Sequence, residues 1–101
     1  MKIENIDNHR GKFFMQLQLT PRSETGVMTI APGGEGGPPE KHTCDQVFLI
    51  VDGQATVTVD DKKYTVAKGD AFTVPKDVIH HVKNDGDTDL FFFTVYAPTE
   101  E

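Results

Sequence analysis

Phe13, Met15, Leu17 and Leu19 alternate with Phe14, Gln16, Gln18 and Thr20, a period of two that predicts a strand with one drier face. A second short strand is expected over Thr25 to Ala31. The stretch Pro32 to Pro39 contains only Gly, Pro and one Glu, so it forms neither helix nor central strand and is expected to be a loop. A phosphate-cradling loop would end its glycine run on Lys and Ser or Thr at the start of a helix. Here Pro38, Pro39 and Glu40 stand there instead.

From Gln46 onward, short apolar runs alternate with turn signals. Gln46 to Val51 leads into Asp52-Gly53, a strong two-residue hairpin signal, and then into the alternating segment Gln54 to Asp60. Asp60-Asp61 turns the chain into Lys62 to Ala67, and Lys68-Gly69-Asp70 turns it into Ala71 to Val74, which Pro75 closes. Val78 to Lys83, a turn at Asn84 to Asp87 and a final strand Leu90 to Ala97 complete the pattern. No helical periodicity persists, and no segment repeats another. The class is all-β.

Val47 to Val51 and Leu90 to Phe93 are apolar at both parities. A barrel strand buries one face, so the second needs a cover, either the chain's own N-terminal strands or a partner subunit. A homodimer is expected, joined through some of Val47, Leu49, Val51, Phe92 or their neighbours, because so small a barrel has little chain with which to cover them.

The 101 residues suffice for a single domain spanning 1–101. Ten Lys plus Arg stand against 16 Asp plus Glu, a net charge of −6 with no basic run, which argues against a nucleic-acid partner. The apolar runs are too short to span a bilayer, so no membrane association is expected and the chain reads as soluble and cytoplasmic. One cysteine, Cys44, leaves no intramolecular disulfide. It is expected to be a buried, inert thiol.

Candidate chemistry lies in two clusters. Glu40 and His42 are two apart and share a face of an extended segment, with Gln46 after a short turn, and His80 stands alone further on. A carboxylate and two imidazoles form the donor set of non-haem metal sites with open positions, to which Gln46 adds a weaker oxygen donor. His81 points away from His80 on its strand and is expected at the surface or an interface. His9, in the polar N-terminal segment, is expected to be exposed.

Gly34, five residues, Glu40-x-His42, three residues, Gln46, six residues and Gly53 resemble the first cupin motif. Gly69, five residues, Pro75-x-Asp77, two residues, His80, three residues and Asn84 resemble the second. Both motifs lie within residues 34–84. Glu40 stands where the family has its first histidine, Gln46 where it has its glutamate, and Asp77 where it has a glycine. The resemblance implies a double-stranded β-helix, the cupin jelly-roll barrel. It also implies a divalent transition metal (Fe, Mn, Ni or Zn) held by Glu40, His42, Gln46 and His80. The implied function is a dioxygenase- or isomerase-like activity on a small organic molecule. The alternative is a non-catalytic or metal-free small-molecule-binding module.

Overall fold

A computed structural model of the chain describes residues 1–99. A 3-10 turn at Ile6–His9 precedes eight strands: β1 (Phe14–Leu19), β2 (Glu24–Ile30), β3 (Asp45–Asp52), β4 (Gln54–Val59), β5 (Lys62–Ala67), β6 (Ala71–Val74), β7 (His80–Lys83) and β8 (Leu90–Ala97). They form two antiparallel sheets, ordered β1-β2-β8-β3-β6 and β5-β4-β7. The last strand thus lies between β2 and β3, the crossover of a jelly roll.

Alternation of side chains builds the core. Along β3, Gln46, Phe48 and Ile50 are buried while Val47 and Leu49 face outward. Register carries that parity across the sheet, because Ile50 pairs with Phe92 and Phe48 with both Thr94 and Phe72. From the facing sheet, Ala55, Val57 and Val82 meet Ile30, Phe48, Ile50 and Phe92 in one cluster. Phe48 sits at its centre, stacked on Phe72 with centroids 4.7 Å apart and tilted against Phe92 at 5.3 Å.

The turns match the chemistry of their residues. Gly53 has φ +88°, and a Cβ there would lie 2.6 Å from the Asp89 carbonyl oxygen, so only glycine fits the bend. Asp60 and Asp61 both adopt positive φ, 48° and 71°, the conformation of a primed hairpin turn. Asp77, at the position where the second motif has glycine, has φ 64°. Left-handed backbone explains the family's glycine, and Asp tolerates that region better than most side chains.

The segment before His80 is turn rather than strand: Pro75 accepts from Val78 N–H at 3.3 Å, and β7 begins at His80 rather than Val78. In β1 a bulge between Gln16 and Gln18 breaks the alternation, leaving Leu19 exposed while Met15 and Leu17 stay half-buried. Phe13 lies outside the strand and is exposed. Phe92 is 2% exposed and belongs to the core, which removes it from any subunit seam.

His9 is half-buried rather than exposed, its Nε2 2.8 Å from Glu4 Oε2. Hydrogen bonds from Lys2 and then His9 hold the Glu4 carboxyl below its usual range. Arg10 follows, ion-paired with Asp52 and Asp7, which raise its pKa, and its guanidinium lies 4.4 Å above the Phe91 ring. The N-terminal segment therefore covers the outer side of β8 at Phe91. Val47 and Leu49, further along the same outer face, remain 37% and 41% exposed. No helix among the described residues is long and apolar enough to cross a membrane.

Candidate metal centre

The loop before β3 is tied to β7, and this tie assembles the cluster. Gly36 N–H donates to the Val82 carbonyl, Glu35 bridges to Lys83, and Glu40 and His80 exchange both backbone hydrogen bonds, at 3.0 and 2.9 Å. Residues paired in this way carry their side chains on the same side of the ladder. The glycine-proline segment is a loop, as expected, yet its end lies along the edge of β7. Asp77 N–H donates to the His42 carbonyl at 2.8 Å, so the left-handed turn of one motif holds the backbone of the other.

One donor atom from each of Glu40, His42 and His80 lies within 4.8 Å of the others. His42 Nε2 stands 3.5 Å from Glu40 Oε1, and the two imidazole centroids are 5.3 Å apart. His80 is 5% exposed and its Nδ1 lies 3.3 Å from the Val78 carbonyl oxygen. An Nδ1–H donated there leaves the lone pair on Nε2. The Glu40 carboxylate is half-exposed and faces solvent at a depression of about 550 Å³ that also includes Lys41, Asp60 and Asp77. The cluster thus lies between the barrel interior and an acidic mouth.

Gln46 is buried on the inward face of β3. Its Nε2 donates to Thr94 Oγ1 at 2.9 Å, and Thr94 Oγ1 donates to the Val47 carbonyl at 2.9 Å. That relay fixes the amide, leaving Oε1 buried with no hydrogen-bond partner among the described residues. An orphaned buried carbonyl oxygen is uncommon and is accounted for by an ion or a water. Two imidazoles, a carboxylate and an oriented amide oxygen suit a divalent transition metal.

Cys44 is 2% exposed but is not among the donors brought together. His81 lies on the outer face of β7 with Nε2 3.1 Å from Glu35 Oε1. Two neighbours of the cluster had no signal in the sequence: Thr94, which orients Gln46, and Tyr96, whose ring meets His42 edge-on at 5.3 Å. Both lie on the inward parity of β8, which only its register against β3 reveals.

The family of cupin domains matches residues 26–96. An uncharacterised protein of Methanocaldococcus jannaschii is 32% identical over 95 residues, which span 88% of this chain and 75% of the relative. A gentisate 1,2-dioxygenase of Ralstonia is 30% identical over 81 residues, 79% of this chain but 22% of the enzyme. This chain therefore spans about a fifth of that relative. A Bacillus halodurans protein of known crystal structure superposes with a TM-score of 0.89 at 24% identity, over 99% of this chain and 83% of the other, a likeness of fold.

Proposed function

Because the chain belongs to the cupin family, we propose that it binds one divalent transition metal through Glu40, His42, Gln46 and His80 and acts, as a single domain, on a small organic molecule. The observation that carries this reading is the convergence of three ionisable donors within 4.8 Å beside a core whose Gln46 oxygen is buried without a partner. When bound, such an ion supplies Lewis acidity, or redox chemistry if it is iron or manganese.

The chain's own residues set the conditions. His80 is oriented by the Val78 carbonyl and walled by Phe48, whose ring meets it edge-on at 6.1 Å. Thr94 aims the Gln46 amide, and both groups are shielded from water. Glu40 brings negative charge to the rim, where a substrate arriving from the mouth meets it first. Iron, manganese, nickel and zinc all suit this mixed nitrogen and oxygen set. The dioxygenase relative supports an oxygenase-like reaction, and a carbonyl-polarising isomerisation uses the same donors.

Elemental analysis of protein purified without tag or chelator is expected to give about one equivalent of transition metal per chain. Metal-free protein that also fails to take up manganese, iron, nickel or zinc would overturn the reading.

The reading includes a homodimer through the outer face of β3 and β8. Val47 and Leu49 are exposed there beside Phe93 and Val95, their half-buried partners across the ladder. An apolar face of this kind is characteristic of a subunit seam. Sedimentation equilibrium is expected to give a dimer at about 10 µM, a concentration at which interfaces of standard size persist. Leu49→Glu is expected to shift it to monomer, and a monomeric parent protein would contradict the seam.

A further inference from the structure

The outer face of the β5-β4-β7 sheet is the floor of a groove of about 500 Å³, within the range of roughly 300–1,000 Å³ usual for small-molecule sites. Register sets what that floor presents. Thr58 pairs with Lys63 on one side and His81 on the other, and Thr56 pairs with Lys83, so paired side chains share the face about 5 Å apart. Ala55 and Val57, of the opposite parity, are buried in the core. The loop before β3 forms one wall: Pro39 lines the groove, and Glu35 reaches His81 Nε2 at 3.1 Å. Asp60 and Asp61, at the β4–β5 turn, close one end.

We propose that this groove binds a phosphate monoester of a small hydroxylated molecule, with the phosphate among Lys63, His81 and Lys83 and the hydroxyl groups toward Asp60 and Asp61. The site lies outside the barrel and does not rest on the metal-binding reading. Of the proposed metal donors, His80 also lines the groove, but its ring turns inward onto Phe48.

Charge and donor count select the ligand. The chain has a net charge of −6, yet Lys63 and Lys83 make no ion pair among the described residues and both open on this groove. The Thr56 hydroxyl donates to Asp85, which leaves Thr58 as the hydroxyl of the floor. Two ammonium groups, an imidazole and a hydroxyl on three strands outnumber what the two oxygens of a carboxylate can accept. A phosphate monoester offers three strong acceptor oxygens and close to two negative charges. Asp60 and Asp61 repel a second anionic group and accept hydrogen bonds from hydroxyls, so the remainder of the ligand is neutral and hydroxylated.

The test titrates whole protein, labelled at backbone nitrogen, with glycerol phosphate. Saturable shifts are expected at the amides of Thr58, Lys63, His81 and Lys83 below about 10 mM, with His42 and Tyr96 unmoved. Lys63→Gln and Lys83→Gln are each expected to weaken binding about tenfold. Lys62→Gln is the control: Lys62 pairs with Val59, on the opposite parity of β5, and a change below about twofold is expected. Inorganic phosphate is expected to bind about tenfold more weakly than the ester, and glycerol alone not to bind. Absence of saturable shifts, shifts centred on His42 and Tyr96, or equal weakening by Lys62→Gln would overturn the groove as the site. Inorganic phosphate bound as tightly as the ester would overturn the ligand class.

Discussion

His80→Ala is expected to lose bound metal while staying folded, and His81→Ala is expected to keep it. The two residues are adjacent and of one type, so composition cannot separate them. Strand geometry can, because consecutive side chains on β7 point to opposite faces. His80 is buried opposite Val59 and beside Glu40, while His81 pairs with Thr58 and reaches Glu35 on the outer face. Removing His80 leaves one imidazole, a carboxylate and an amide, which compete poorly with water for a transition metal. Affinity should fall by about 100-fold or more. For His81→Ala, a change below about twofold is expected, since the residue supplies no donor. Titration of both variants with manganese or zinc checks this. Equal retention, or emptying by His81→Ala, would contradict the register of β7.

Asn84→Ala is expected to be the most destabilising single change at a motif position. Asn84 is fully buried, and its Nδ2 donates to the Ile30 and Thr88 carbonyls, both at 2.8 Å, while Oδ1 accepts from Gly86 N–H at 3.0 Å. Truncation strands three backbone groups, each worth about 1–3 kcal/mol when left buried and unpaired. Allowing for partial hydration, the loss is about 3–5 kcal/mol, a large part of a small domain's stability. A fall in melting temperature of about 15–25 °C should follow. A loss below about 1 kcal/mol in denaturant unfolding would show that these bonds are replaced by water. The last residue of the second motif is thus a clamp between β2 and the turn before β8, and not a ligand.

The strands with clean alternation were legible because burial in them follows parity: β3 reads exposed and buried in turn from Asp45 to Ile50. The hairpin turn at Asp60-Asp61 was legible because positive φ restricts residue choice, whereas Asp52-Gly53, expected to close a hairpin, instead bends the chain from one sheet into the other, since β3 and β4 do not pair. Motif spacing also brought Glu40, His42 and His80 to attention, and the fold places their donor atoms together. Contacts between distant segments were not legible. Gln46 meets Thr94 across 48 positions, and no local pattern encodes that register. Arg10 covers Phe91 and Glu4 holds His9 for the same reason: a polar N-terminal segment gives no local sign of where it docks. Val78 and Ile79, expected to open the strand that runs to Lys83, lie before β7 because the left-handed Asp77 preceding them determines the path, although both have strand-forming side chains.

Anomalous scattering from crystals soaked in manganese shows whether Glu40, His42, Gln46 and His80 hold a metal ion. One strong peak per chain is expected within bonding distance of imidazole nitrogens of both His42 and His80, of a Glu40 carboxylate oxygen and of Gln46 Oε1. An anomalous map without a peak there, or with its strongest peak at the Glu35 and His81 pair on the outer face, would contradict it.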